Sequence, residues 1–206
     1  MPRGAVVVVE RPGFIRGLAR ALRSGGGKLW RRLRYWIERR LHPMRRRRAH
    51  QRLAALGRPR RILVVCLGNI CRSPYLEAVL RRDLPDVHVE SGGFVGPGRA
   101  VPAYSSVTAG KRGLDLSAHR SRQLNAQLVA NIDLLVVMDA KQERRLRREL
   151  GVAARRIVVA GDLDPGAIRM RTIRDPFRQP IDVFESCFNR LDLVGRELVA
   201  EIKRTV

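Results

Sequence analysis

The sequence predicts an α/β domain built on a four-stranded parallel sheet flanked by helices, preceded by a basic extension that is helical or disordered. Three observations carry that class. Four short apolar runs, at 62–66, 87–90, 132–138 and 157–160, alternate with stretches of helical periodicity, the order that builds βαβ units. The run at 62–66 is apolar throughout and that at 132–138 is apolar but for Asp133 near its start, as strands buried on both faces are. Charge is also lopsided. Of 42 Lys and Arg, residues 1–61 hold 19 against two acids, Glu10 and Glu38, whereas residues 62–206 hold 23 against 17. The excess therefore lies mostly outside the alternating part, and the boundary falls near 60, with 1–60 as extension and 61–206 as domain.

In the extension, Ala5 to Val9 is too short for a signal-peptide core and is followed by Glu10-Arg11-Pro12-Gly13. Phe14, Leu18 and Leu22 recur at helical spacing until Ser24 and Gly25 to Gly27 break the run. Leu29, Leu33, Trp36, Ile37 and Leu41 then share one face of a second helix, with arginines mostly off it, and Pro43 ends that helix. Arg45 to Arg48 follow as a basic block. A basic amphipathic helix with tryptophan suits an anionic membrane surface, reached through residues 14–52. Trp30, Tyr35 and Trp36 would instead stack on single-stranded nucleic acid, the weaker fit of the two. The plainer alternatives are a solvated tail or a helix packed on the domain. No run of eighteen apolar residues exists, so no membrane-spanning helix is expected.

In the domain, the first strand runs into a loop and then a helix from Pro74 to about Arg82. The second strand, 87–90, opens at Ser91-Gly92-Gly93 into a loop rich in Gly and Pro. Residues 103–112 read as helix, and another helix ends near Asn131. The third strand, 132–138, leads to a charged helix over 141–150 stopped by Gly151. After the fourth strand, 157–160, a loop spans 161–179 and a final amphipathic helix runs from about Pro180 to Lys203.

The candidate site is Cys66-Leu67-Gly68-Asn69-Ile70-Cys71-Arg72-Ser73-Pro74, between the first strand and the first helix of the domain. In an arginine-rich chain the bare Cys-x5-Arg spacing carries no weight, but its setting does. Amides of residues 67–72 at a helix N-terminus form an anion cradle, and the helix dipole adds positive potential. Arg72 returns a guanidinium fork able to grip two phosphate oxygens. In such a field Cys66 is expected to be a thiolate, poised to attack the phosphoryl group that the same donors hold. Sites in such sheets lie at the carboxyl ends of strands, where Cys66 falls. Three cysteines, two of them five apart in one loop, make no disulfide framework and suit a reducing, cytoplasmic setting.

The loop resembles the signature of the low-molecular-weight protein tyrosine phosphatases nearly letter for letter. The resemblance continues through Ser91-Gly92, His119-Arg120-Ser121-Arg122-Gln123, Met138-Asp139 and Asp175-Pro176-Phe177, and so covers about residues 60–205. It implies strand order 2-1-3-4 and a phosphocysteine mechanism with no metal and no cofactor. Cys66 would be the nucleophile, Arg72 the oxygen clamp and Asp175 the acid and then the base. Ser73 would bond the sulfur, and Asn69 would sit in a left-handed conformation held through Ser91 and His119. Asp164-Pro165 is a rival to Asp175, set aside because Phe177 and the last helix follow Asp175 as in the family. Cys71 would protect Cys66 by a reversible disulfide, and Cys187 is read as packing.

Phe94, Phe177 and Arg178 are expected at the substrate rim, where family members commonly carry more aromatics. The implied substrate is a tyrosine-phosphorylated protein, by analogy a bacterial tyrosine kinase. Three alternatives remain. Protein-arginine phosphatases tend to carry Thr where Ile70 stands, and thioredoxin-linked arsenate reductases have a further redox cysteine pair that is missing between Cys71 and Cys187. The third is a phospho-binding scaffold acting through its basic arm.

Overall fold

The structure, a computed structural model, describes residues 13–166, 168 and 170–204, with side chains from 32 onward apart from 34. The Ala5–Val9 stretch lies outside the described residues, and so do the side chains of Phe14, Leu18, Leu22, Leu29 and Trp30. Chain order is α1 (Gly13–Leu56), β1 (Arg61–Cys66), α2 (Arg72–Asp83), β2 (His88–Gly93), α3 (Ala103–Gly110), α4 (Ala126–Ala130), β3 (Leu134–Val137), α5 (Ala140–Leu150), β4 (Ile157–Val159) and α6 (Ile181–Arg204). Single 3-10 turns at Ala154–Arg156 and Ala160–Asp162 flank β4. All strand pairs are parallel, in the order β2-β1-β3-β4.

Alternation along each strand divides the interior in two. Ile62, Val64 and Cys66 of β1 and Leu134 and Val136 of β3 join a cluster with α2, α3, α6 and the end of α1. Leu63, Val65, Leu135 and Val137 join the other, with Val129, Leu146 and Leu124. Both faces of the sheet are covered, which is why β1, β3 and β4 carry no polar alternation. Tyr75 of α2 stacks on Phe188 of α6 at 3.8 Å between ring centroids, and its hydroxyl donates to Asp192 Oδ1 at 2.5 Å. That contact fixes the helix carrying the cradle against the longest helix of the domain.

Local chemistry sets the element ends. Asp139 caps α5 by accepting from the Lys141 and Gln142 amides at 2.8 and 2.9 Å, and Gly151 closes it at φ 64°. Asn125 caps α4 through the Leu128 amide. α2 starts at Arg72, two residues before the expected Pro74. Tyr75 N bonds Cys71 O at 3.3 Å, so Pro74 sits within the first turn, where no N–H is needed.

The extension departs most from expectation. A single helix runs through Gly25–Gly27 and through Pro43. Glycine raises the cost of a helix by about 1 kcal/mol per residue but forbids nothing. At Pro43 side-chain bonds on both sides offset the lost backbone bond. Arg45 pairs with Glu38 at 2.5 Å across the proline, and His42 Nε2 donates to the Asp164 carbonyl at 2.9 Å. Arg46 pairs with Glu197, and His50 Nδ1 meets Glu201 at 2.8 Å. Ala49 and Leu53 are buried in the cluster that α6 helps to form. Leu33, Trp36 and Ile37 face solvent.

Candidate active site

The cradle is shaped from outside, by donors that draw its carbonyls outward. Leu67 O accepts the Phe94 amide at 2.8 Å, Gly68 O accepts Arg99 Nη2 at 2.7 Å, and Asn69 O accepts His119 Nε2 at 2.8 Å. In a planar trans peptide the carbonyl and the following N–H point opposite ways. Three carbonyls held outward therefore turn the amides of Gly68, Asn69 and Ile70 inward. The Asn69 amide reaches Cys66 Sγ at 3.1 Å, and the Ser73 hydroxyl donates to the same sulfur at 3.0 Å. Arg72, Ser73 and Pro74 form the first turn of α2, which adds its free amides and dipole on the same side.

Asn69 adopts φ 52°, a conformation that costs a non-glycine residue about 1–2 kcal/mol. Its side chain is satisfied on every polar position that can hold it there. Nδ2 donates to Ser73 Oγ at 2.9 Å and Ser91 Oγ at 2.7 Å, and Oδ1 accepts the Arg122 amide at 2.8 Å. Ser91 in turn donates to buried Glu77 at 2.5 Å, and Arg81 sits 3.1 Å from the other Glu77 oxygen. Gly93 lets the end of β2 lie against the loop, since a Cβ there would stand 2.8 Å from Asn69 N.

Arg72 is buried and its fork turns to the segment before α6. Nη1 donates to Ile173 O at 2.9 Å and Nη2 pairs with Asp175. Asp175, about two-fifths exposed, also accepts the Phe177 amide at 3.2 Å. Arg72 Nε is buried without a partner, a donor left over for a guest. Asp164 is held elsewhere, 2.7 Å from Arg190 Nε in a nearly buried ion pair. Arg190 also donates to Thr172 O at 2.9 Å and Met170 O at 2.7 Å, so that pair braces the loop carrying Asp175.

The structure brings together Cys66, Leu67, Gly68, Asn69, Ile70, Cys71, Arg72, Ser73, Ser91, His119 and Asp175. It does not bring Phe94 to the rim. Phe94 is 7% exposed, packed with Leu124 and Leu146 and capped by the Arg145 guanidinium at 4.4 Å. β2 extends to Gly93, so strand alternation sends Phe94 to the same face as Gly92, onto Leu124. The exposed apolar groups are instead Leu67 and Val95, joined through Arg99, which donates to both Gly68 O and Val95 O. Phe177 is exposed, with the guanidinium of Arg178 5.3 Å from its ring centre. Arg178 takes φ 59° in the turn closed by Gln179 N and Pro176 O.

Arg99 and Glu77 escape a sequence reading because their bonds to the site span 31 and 14 residues with no motif attached, whereas Arg122, within the 119–123 stretch, reaches Asn69 across 53 residues through its backbone amide. Arg99→Ala should lower kcat/KM for an aryl phosphate by about tenfold to a hundredfold, the worth of one charged hydrogen bond. The Ki of inorganic phosphate should rise in step, with partial recovery in Arg99→Lys. An unchanged Ki would show that the Gly68 carbonyl needs no such anchor.

A thiol and an arginine fork in an amide cradle, with a carboxylate paired across the mouth, form the site of a cysteine-dependent phosphatase. Residues 61–206 match the model of the low molecular weight phosphotyrosine protein phosphatase family. The probable low molecular weight protein-tyrosine-phosphatase EpsP of Ralstonia nicotianae is 35% identical over 145 residues, covering 69% of this chain and 94% of that protein. The Erwinia amylovora tyrosine phosphatase amsI superposes with a TM-score of 0.64 at 30% identity, over 69% of this chain and 92% of its own. The YwlE arginine phosphatase from Geobacillus stearothermophilus superposes with the same score at 26% identity, over 71% and 94%. The chain belongs to the low molecular weight protein-tyrosine-phosphatase family, and its first sixty residues lie outside the matched region.

Proposed function

We propose that the enzyme hydrolyses phosphotyrosine in proteins through a phosphocysteine on Cys66. The observation that carries this reading is Cys66 Sγ receiving both the Asn69 amide and the Ser73 hydroxyl inside the cradle, with Arg72 and Asp175 paired beside it. An incoming phosphoryl group draws the Arg72 fork onto its equatorial oxygens and releases the Asp175 carboxylate, which takes up the proton carried in by the phosphate monoanion. The sulfur attacks phosphorus as the bond to the phenolic oxygen breaks, and Asp175 gives that oxygen its proton. Asp175, now carboxylate, takes a proton from water as that water displaces the sulfur, and inorganic phosphate leaves.

Tyrosine rather than arginine is favoured by Ile70 in the cradle and by the apolar rim of Leu67, Val95 and Phe177, which suits an aryl ring. Turnover of a phosphotyrosyl peptide should exceed that of its phosphoarginyl counterpart by at least about tenfold. Equal or faster release from phosphoarginine would overturn the substrate assignment. Arg174 and Arg178 beside the rim favour an acidic segment around the phosphotyrosine, as in an autophosphorylated bacterial tyrosine kinase. Residues 14–52 place the enzyme, on this reading, at the cytoplasmic side of an anionic membrane. No helix among the described residues is long and apolar enough to cross one.

Cys71 serves as the protecting thiol in this proposal. A peroxide oxidises Cys66 to the sulfenic acid, the Cys71 sulfur displaces water from it to form the disulfide, and a cellular dithiol restores both thiols. Burial pushes the Cys71 thiol up to about 12, and Cys187 likewise up to about 12, so neither competes with Cys66 at rest. Each folded-state value lies above the 9.0 of an exposed thiol. Their contribution to stability is therefore whole below pH 9 and is lost as pH rises towards 12. Denaturation midpoints measured across that window should fall, and Cys187→Ala should fall less steeply than wild type.

A further inference from the structure

α1 meets the catalytic body along one side only. His42, Ala49 and Leu53 are buried on that side, where Arg46 and His50 also find Glu197 and Glu201. At about 100° per residue, Leu33, Ile37, Arg40 and Met44 fall on the opposite side of the helix, with Trp36, Arg47 and Arg48 flanking them. These apolar groups are well exposed: Leu33 45%, Trp36 55%, Ile37 38% and Met44 44%. The paired cations lie away from this stripe. Arg45, Arg46 and Arg52, on the inner side and its flank, pair with Glu38, Glu197 and Glu143. Arg40, Arg47 and Arg48 have no acidic partner among the described residues, and Arg40 lies over the Trp36 ring at 5.1 Å.

We infer that this outward stripe of α1, from Leu33 to Arg48, is a docking surface for an anionic lipid bilayer. The inference rests on the membrane half of the proposed function and names the surface that does the binding. Charge decides the occupant. A second copy of a chain with net charge +23 would bring the same arginines against themselves. A lipid interface meets both halves of the stripe, because apolar side chains enter the acyl boundary while arginines extend to headgroup phosphates. The stripe presents about 24 Å of continuous helix, a length suited to lying along a plane. Its inner face stays on the body, so docking would hold the catalytic domain at the surface.

The test is co-sedimentation of the full-length protein with phosphatidylcholine vesicles, with and without phosphatidylglycerol. Soluble aryl phosphate turnover reports that each variant is folded. Wild type should bind the anionic vesicles and lose them as salt rises. The L33S/W36S/I37S/M44S variant and the R40Q/R47Q/R48Q variant should each lower the bound fraction by about tenfold or more at unchanged turnover. Vesicle binding that both variants retain would overturn the stripe and leave the membrane reading standing through residues 14–31. Failure of wild type to bind anionic vesicles would overturn both. Retention on single-stranded RNA in preference to the vesicles would overturn the lipid assignment.

Discussion

Cys66→Ser is expected to lower turnover of any aryl phosphate by about ten-thousandfold or more, because no other group can form the covalent intermediate. Serine keeps the volume but presents a hydroxyl where the cradle is built for an anionic sulfur. Affinity for inorganic phosphate should survive, since the amides of Gly68 to Ile70 are aimed by Phe94, Arg99 and His119 and not by the sulfur. Acid-quenched wild type should carry label from a radioactive phosphotyrosyl substrate, and the variant should carry none. Comparable turnover in the two proteins would remove the mechanism altogether.

The second large effect concerns the acid. Asp175→Asn should cost about a hundredfold to ten-thousandfold in kcat, the range for a lost general acid. The loss should be severe for phenyl phosphate and mild for an aryl phosphate whose phenolate leaves unprotonated. Phosphate should bind at least as tightly as before, because the carboxylate that pairs with Arg72 in the empty site no longer competes. Asp164→Asn should behave differently. It weakens a nearly buried ion pair with Arg190, so folding stability should drop by about 1–3 kcal/mol while the leaving-group dependence stays as in wild type. Severe, leaving-group-dependent loss confined to Asp164→Asn would transfer the acid to that residue.

Two misreadings show why a local reading fails where it does. Pro43 has the chemistry of a helix stop, and an isolated peptide would obey it. Here the turns on both sides are tied down by Glu38, Asp164, Glu197 and Glu201, and three of those partners lie more than 120 residues away. Phe94 has the chemistry of a substrate-stacking aromatic, but β2 continues to Gly93, and strand alternation turns the ring into the second cluster. A shift of one residue in where a strand ends decides whether a side chain meets substrate or core.

The cradle itself was legible because its strand, loop and helix are contiguous. Hydrogen bonds between residues a few positions apart, such as Ser73 to Cys66, need only local backbone geometry. Sheet order and the role of Asp175 came with the family resemblance, since its separation of 103 residues from Arg72 leaves no mark in spacing or periodicity. The sequence by itself determined a nucleophile at a strand end, an amide loop, a helix start and a basic arm. Only the tertiary structure decided what aims the loop, which aspartate faces it, which apolar groups ring it and which side of the arm stays free. Those choices depend on how chain segments pack after distant loops close, and packing is not encoded in any one stretch.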